Sequence, residues 1–270
     1  MNDSPERRTW LALRQFTQAR IGLGRSGDSL PTHAVLDFDL AHAQARDAVH
    51  AQLDTGALLQ QLTSAGFHAV QAHSAITDRC QYLRRPDLGR RLSERSRQQL
   101  LARTLPSSPE IVLVVADGLS ALAVMRHAVP TLQALCPRLQ QQRIAPIVIA
   151  QQARVALGDE IGELWRAEQV IVLIGERPGL SSPDSLGAYL TFAPRIGCTD
   201  AQRNCISNIR REGLSYEQAA HRLAHLIDEA QRLRTSGVAL KDESDTPRVP
   251  SATLGEGARV DERGGQAKCS

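Results

Sequence analysis

The sequence is poor in aromatic residues and has no long apolar run. Phe, Trp and Tyr make up 3% of its 270 residues. No stretch approaches the roughly 18 consecutive apolar residues of a membrane-spanning helix, so we expect no transmembrane segment. The first residues, MNDSPERRTW, also lack the apolar core of a secretory signal. Such a composition is typical of a soluble α/β protein that buries one substantial core or two modest ones.

Cysteine is scarce, and neither sign of charge dominates. The five cysteines form no CxxC pair, which argues against a disulfide framework and a structural zinc site and favours a reducing cytoplasm. The chain has 32 basic and 29 acidic residues, interspersed along its length, for a net charge of +3. An excess this small gives no support for a nucleic-acid or membrane partner.

Catalytic motifs are missing as well. The sequence contains no GxSxG, Walker loop or paired-carboxylate motif. His221 and His225 have the i,i+4 spacing of two zinc ligands, but no third ligand or glutamate base lies nearby. We therefore predict no catalytic residue and no metal site. A ligand-binding chain without a reactive group is typical of a subunit whose chemistry belongs to a cofactor or another chain.

What the sequence does contain is a regular alternation of strands and helices. β-branched apolar segments predict strands at 67–72, 111–116, 144–150, 170–175 and 188–192. Helical periodicity predicts helices within 1–20 and at 40–62, 119–135, 155–167 and 215–235, the last with Ser215 as its N-cap. The predicted fold class is therefore α/β: an open, mostly parallel, Rossmann-like sheet with flanking helices and a helical N-terminal segment.

Three motifs each admit two interpretations. Residues 22–27 spell GxGxxG, but without a preceding strand or an immediate helix they are not expected to bind a dinucleotide. Asp117 follows the strand 111–116 and suits either a ligand contact or a helix cap; we favour the cap. Four arginines bracket Asp87 in LRRPDLGRRL and are able to bind phosphate. Ion pairing between chains or a solvated loop is the favoured interpretation, because Pro86 and Gly89 interrupt the basic face.

The loop 176–185 is the strongest candidate for a ligand site, because it follows the carboxyl end of a buried strand. Glu176 opens it and is able to accept hydrogen bonds from a ligand or, alternatively, to pair with Arg177. For Val155, near a helix start, and for Cys205, burial in the core is the favoured interpretation from their residue types alone.

The motifs GERPGLSSPDSLGAYLTFAPRIG (175–197), RNCISNIRREG (203–213), YLRRPDLGRRL (82–92) and RVALGDEIGEL (154–164) closely resemble the small subunits of ethanolamine ammonia-lyase. The resemblance covers about residues 10–240. It implies a lyase that deaminates ethanolamine to acetaldehyde and ammonia by a radical mechanism, with adenosylcobalamin as cofactor. It also implies a large subunit that binds ethanolamine, with the cofactor lying between the two chains. Three cofactor contacts carry over: Val155, Glu176 and Cys205.

The same resemblance implies an organisation and a location. Residues 1–105 are expected to form a helical and α/β region that contacts the large subunit, and residues 106–240 a Rossmann-like domain that contacts cobalamin. The Gly/Pro/Ser-rich stretch 241–270 lies outside the resemblance and is expected to be a disordered tail. The family's longer N-terminal extension, associated with a bacterial microcompartment, is short here, so the expectation is a cytoplasmic location.

Two other functions remain open from the sequence. The chain is alternatively a free-standing nucleotide-dependent α/β enzyme that uses residues 22–27 or Asp117. It is also conceivable as an assembly module without a ligand contact. No DxHxxG motif occurs, so a bound cobalamin is expected to keep its own lower axial base.

Overall fold

One six-stranded sheet organises the computed structural model, which describes residues 5–17 and 19–244. Its strand order is β1-β3-β2-β4-β5-β6, and the strands are β1 (Ala69–His73), β2 (Ile111–Ala116), β3 (Ile147–Gln151), β4 (Gln169–Gly175), β5 (Leu186–Phe192) and β6 (Arg203–Ile209). The pairs β1–β3, β3–β2 and β2–β4 are parallel, whereas β4–β5 and β5–β6 are antiparallel. Only β5 therefore runs against the others. The predicted open, mostly parallel α/β sheet is confirmed.

Eight α-helices accompany this sheet in the part of the chain that the structure describes. They are α1 (Pro5–Leu13), α2 (Thr32–His50), α3 (Thr55–Ser64), α4 (Arg79–Arg84), α5 (Glu94–Leu101), α6 (Ala121–Leu135), α7 (Leu157–Leu164) and α8 (Tyr216–Leu233). Ser215 caps α8 as predicted, since its hydroxyl accepts a hydrogen bond from the Gln218 backbone N–H at 3.3 Å. Among the described residues, no helix has the length and apolar character needed to span a membrane.

The two faces of the sheet are covered unequally. On one face, alternate side chains of all the central strands form a core with α3, α6 and α8. On the other face, α5 packs on β1 and α7 packs on β2 and β4, while the helices that pack on β5 and β6 are α6 and α8 from the first face. Cys205 and Ser207 of β6 are consequently exposed. This half-bare face of the β5–β6 hairpin is the structural setting of the candidate site.

One predicted helix differs from the structure, and one strand was not predicted. The helix predicted over residues 40–62 is two helices, because the chain leaves the helical conformation after His50 and Asp54 starts α3 by accepting a hydrogen bond from the Ala57 N–H at 2.9 Å. Strand β6 was not predicted, because only Ile206 and Ile209 of this segment face the core. An edge strand with one polar face has no continuous apolar run, and pairing with β5 supplies the structure that the sequence signal lacks.

The glycines of residues 22–27 lie in an irregular loop. No strand precedes them within residues 5–17 and 19–21, and α2 begins only at Thr32. Gly22 instead packs under Trp10, where an added Cβ would lie 2.4 Å from the indole ring. The context of a dinucleotide-binding turn is therefore absent from this stretch.

Two predictions about domain organisation stay predictions. The strand β1 belongs to the predicted region 1–105 but pairs with β3 in the common sheet. Of the predicted tail 241–270, residues 241–244 are described and have no helix or strand, and the remainder lies outside the described residues.

Candidate functional site

A cleft of about 940 Å³ opens beside α7, on the partly covered face of the sheet. Its walls come from the segment before α5, the turn between β3 and α7, and the segment before β6. Val155 lies in the β3–α7 turn and lines the cleft, half-buried. Val155 therefore lies on a cavity wall and also packs against the core of this face of the sheet, as the core-packing interpretation expected. The predicted helix 155–167 begins only at Leu157, which leaves Val155 in the turn.

The β3–α7 turn is held by the buried carboxylate of Asp117. This carboxylate accepts hydrogen bonds from the backbone N–H groups of Gln152 at 2.8 Å and Ala153 at 2.9 Å. Arg79 approaches it to 3.8 Å, and burial raises the pKa of the carboxyl group. The predicted cap role is wrong, because Ser120 caps α6 by accepting from the Ala123 N–H at 3.2 Å. Asp117 fixes the turn that presents Val155.

Glu176 follows β4, and its carboxylate joins three segments. It accepts hydrogen bonds from the hydroxyl groups of Ser185 and Ser207, the latter at 2.6 Å, and from the backbone N–H of Asn208 at 3.3 Å. Gly187 leaves space for it, since a Cβ there would lie 2.9 Å from a carboxylate oxygen. The structure does not contain the alternative ion pair between Glu176 and Arg177. With about four lone-pair positions, the carboxylate retains room for one further donor.

Cys205 lies on β6 directly opposite Tyr189 of β5. Its side chain is exposed, so the alternative of a simple core cysteine is wrong. Desolvation by its neighbours raises the pKa of the thiol, against the lowering effect of a hydrogen bond with Tyr189. The group is therefore a neutral thiol and not a thiolate nucleophile at neutral pH.

Tyr189 connects the three predicted contact residues. It lines the cleft together with Val155 and faces Cys205 on the neighbouring strand. Ser207, which binds Glu176, lies two residues after Cys205 and so on the same face of β6. Glu176 and Cys205 thus share the half-bare face of the β5–β6 hairpin. Cys205 also borders a smaller hollow of about 380 Å³ that runs along β6 towards α8. Val155 stands on the far side of Tyr189, across the larger cleft.

A buried ion pair that the sequence did not reveal fixes this arrangement. Arg203, the first residue of β6, donates two hydrogen bonds to the Asp159 carboxylate of α7, at 2.6 and 2.7 Å. It also donates to Thr191 at 3.0 Å and to the Cys198 carbonyl at 2.8 Å. This bidentate pair ties α7 to β6. The only sequence signal was opposite charges 44 residues apart, and nothing in a single sequence pairs them.

The loop that carries Glu176 is anchored at its other end by a second unpredicted group. Asp184 accepts hydrogen bonds from Arg126 at 2.7 Å and from His127 at 3.3 Å, and the other ring nitrogen of His127 contacts the Tyr216 hydroxyl at 2.9 Å. Ser120 adds a hydrogen bond to the Pro183 carbonyl at 2.9 Å. The loop 176–185 is therefore fixed to α6, and His127 links α6 in turn to Tyr216 of α8.

The remaining candidates show no reactive arrangement. Within residues 5–17 and 19–244, no group of three or more His, Cys, Asp or Glu side chains is positioned to hold a metal ion. The His221–His225 spacing therefore remains a helix-face pattern. The site as a whole offers an apolar and aromatic wall, a neutral thiol, a carboxylate and several arginines. Such a set recognises a ligand by contact and hydrogen bonding.

Comparison with known proteins places these residues in a family. The family model described as ethanolamine ammonia-lyase light chain (EutC) matches residues 7–241. The chain is 57% identical over 250 residues to the ethanolamine ammonia-lyase small subunit of Pseudomonas putida strain W619, an alignment that covers 90% of each chain. It is 54% identical over 259 residues to the small subunit of Xanthomonas campestris pv. campestris strain B100, covering 94% of this chain and 95% of the relative.

The match includes every strand of the sheet, all three segments that line the cleft and all three predicted contact residues. The stretch beyond residue 241 lies outside it, as the sequence motifs indicated. The chain therefore belongs to the ethanolamine ammonia-lyase light-chain family, whose members are small subunits of a heteromeric ammonia-lyase.

Proposed function

We propose that this chain binds adenosylcobalamin jointly with a large subunit and so completes an ethanolamine ammonia-lyase that produces acetaldehyde and ammonia. The observation that carries the proposal is the bare face of the β5–β6 hairpin beside the cleft. A sheet face without a covering helix leaves Tyr189, Cys205 and Ser207 available to a flat ligand. The family membership supports the same ligand.

The residues present fit this cofactor. Cobalamin has an extended corrin ring with amide side chains and, on one side, a nucleotide loop with a phosphodiester. Glu176 has a lone pair left for an amide N–H, and Val155 and Tyr189 provide apolar contact. The buried Nε of Arg154, which also lines the cleft, has no acceptor among the described residues. An orphaned buried donor is expected to meet an acceptor on a ligand.

In this proposal the chain positions the cofactor and contributes no catalytic residue. The cofactor, when bound, would supply the radical chemistry through its cobalt–carbon bond. Ethanolamine itself binds to the large subunit. The neutral thiol of Cys205 and the engaged carboxylate of Glu176 orient the ring without transferring a proton. A cytoplasmic location is part of the same proposal.

The test compares the large subunit alone with the complex of both chains. We expect the complex to retain adenosylcobalamin through gel filtration, with its visible spectrum, and to deaminate ethanolamine. Equal affinity and turnover by the large subunit alone would refute a role in cofactor binding. Assembly that raises turnover without changing the affinity would instead favour a pure assembly module.

A further inference from the structure

Three arginines line the cleft without a carboxylate partner. Arg90 and Arg91 project from the short 3₁₀ turn before α5, and Arg154 precedes Val155. The neighbouring arginines of the cleft differ, because Arg97 lies 3.9 Å from Glu160 and Arg203 pairs with Asp159. In the described part of the chain, no acidic group lies within ion-pair distance of the first three. The cleft therefore has a positively charged end next to Val155.

Arg154 is held in place by the protein. Its guanidinium carbon lies 4.1 Å from the centroid of the Tyr82 ring, and Nη2 donates to the Tyr82 carbonyl at 3.3 Å. Its backbone N–H donates to the Gly89 carbonyl at 2.8 Å, which joins the β3–α7 turn to the turn that carries Arg90 and Arg91. Tyr82 is itself fully buried. The three arginines thus belong to one connected structure rather than to separate mobile loops.

One donor of this guanidinium is unsatisfied. The Nε of Arg154 is buried and has no hydrogen-bond partner. A buried donor without an acceptor is costly, and more so when it is charged. Guanidinium groups hold phosphate through paired, charge-assisted hydrogen bonds, and several arginines around one cavity favour this anion over a neutral polar group.

We infer that Arg90, Arg91 and Arg154 form a phosphate subsite that holds the phosphodiester of the cofactor's nucleotide loop. The inference rests on the proposed function, and it adds an orientation. The nucleotide loop lies at the arginine end of the cleft, beside Val155, and the corrin ring extends past Tyr189 towards Cys205 and Glu176. The chain therefore distinguishes complete cobalamin from precursors that lack the phosphate.

The experiment uses the complex of both subunits and measures affinity by visible-spectrum titration. The two probes are adenosylcobinamide, which lacks phosphate, and adenosylcobinamide phosphate. We expect wild-type complex to bind the phosphate-bearing probe roughly ten- to hundredfold more tightly. Arg91→Ala and Arg154→Met should lose most of this ratio while binding adenosylcobinamide as wild type does. Arg154→Met keeps an unbranched side chain over Tyr82.

One control and a second variant keep the test decisive. Arg138→Ala, at an exposed arginine outside the cleft, should leave the ratio unchanged. If Arg154→Met fails to fold, Arg91→Ala still decides, because Arg91 is exposed and supports no packing. The subsite is overturned, but the proposed function is not, by one result. In it the wild-type complex binds adenosylcobalamin, and the arginine variants keep the wild-type ratio of affinities for the two probes. Failure of wild-type complex to bind any corrinoid refutes both.

Free inorganic phosphate is the other source of the same chemistry. It is tested by calorimetric titration of the complex without cofactor. Binding of inorganic phosphate that depends on Arg154, together with an unchanged probe ratio, would assign the arginines to an independent anion site and overturn the inference. Competition of inorganic phosphate with adenosylcobinamide phosphate, but not with adenosylcobinamide, supports the inference.

Discussion

At the scale of single residues, the Glu176 carboxylate binds its neighbours before any ligand arrives. Two serine hydroxyls and one backbone N–H surround it, so its oxygen atoms are fixed in place. A preorganised acceptor contributes more to binding than a mobile one, because no ordering cost is incurred on association.

We predict that Glu176→Ala weakens adenosylcobalamin binding by the complex roughly ten- to hundredfold, equivalent to about 1–3 kcal/mol. Turnover at saturating cofactor should fall less, because the radical chemistry belongs to the cofactor. Titration of the complex with adenosylcobalamin, with maximal rates measured in parallel, checks both expectations. Glu176→Gln, which keeps the shape and one acceptor, should be milder. Unchanged affinity in Glu176→Ala would show that this loop does not contact the cofactor.

Cys205 gives a second prediction, based on volume. Cys205→Phe should block the β5–β6 face and abolish cofactor binding, whereas Cys205→Ser, with nearly the same volume, should bind almost as wild type does. Cys80→Phe is the matched control, because Cys80 is also exposed but lies on α4 and not on the β5–β6 hairpin. Equal binding by Cys205→Phe and Cys80→Phe would exclude Cys205 from the site. Melting temperatures of the three complexes establish that folding is unaffected.

At the scale of elements, the Arg203–Asp159 pair determines how α7 meets β6. Both side chains are almost completely buried. Burial alone lowers the pKa of the Arg203 guanidinium, but its hydrogen bonds to Asp159 raise it above the usual value, so the arginine stays charged. Removing one charge leaves the other buried without compensation.

We therefore expect Arg203→Met to lower the free energy of unfolding by about 3–5 kcal/mol. The double variant Arg203→Met with Asp159→Leu should recover part of this loss, because no uncompensated charge remains. Denaturant unfolding of the complex measures both values. Equal destabilisation in the single and double variants would mean that packing, and not charge, dominates at this contact.

The anchor of the β4–β5 loop gives a pH prediction. Burial lowers the pKa of His127, despite the opposing effect of its hydrogen bond with Asp184. The unfolded chain then binds the proton more readily than the native protein. This contribution to stability is fully present above the unfolded pKa of about 6.5 and is lost as the pH falls below it.

Asp184 also makes the protein less stable as the pH falls, but in a lower pH range than His127. Although burial alone raises its pKa, hydrogen bonds from Arg126 and His127 lower it overall, so its contribution is lost only as the pH falls through the acidic range. We expect His127→Gln to lose less stability than wild type between pH 7.5 and about 5.5 in urea unfolding. His33→Gln, at an exposed histidine, should follow the wild-type profile. Identical profiles for wild type and His127→Gln would contradict the expectation.

At the scale of the whole molecule, apolar side chains are exposed mainly near the N-terminus. Nine of them lie between residues 10 and 40, namely Trp10, Leu11, Leu13, Phe16, Leu30, Val35, Leu36, Phe38 and Leu40. Leu36 and Leu40 lie one turn apart on α2 and are 61% and 60% exposed. A patch of this kind is typical of a surface that another chain covers.

We predict that the isolated chain self-associates and that the large subunit suppresses this. Leu36→Gln with Leu40→Gln should reduce the association, because two adjacent apolar side chains leave the patch without disturbing the core. Sedimentation velocity over a range of concentrations, with and without the large subunit, measures the effect. A monodisperse isolated chain at high concentration would argue against this prediction.

The sequence by itself determined the centre of the sheet. Strands β2 and β4 are buried on both faces, so each forms a continuous apolar run that identifies it, and Ser215 identifies the start of α8 by its cap chemistry. The family motifs likewise identified Val155, Glu176 and Cys205 as candidates. These features depend on residues that are neighbours along the chain.

Only the tertiary structure decided which strands pair and which polar side chains bind one another. Strand β6 exists because β5 pairs with it, and Asp117 holds a turn 35 residues away instead of capping the helix beside it. The ion pair of Arg203 with Asp159 and the orphaned Nε of Arg154 arise in the same way. A polar side chain has many possible partners of the right type. Which one it meets is set by the burial and packing of the elements that carry it, and a local pattern contains no information about either.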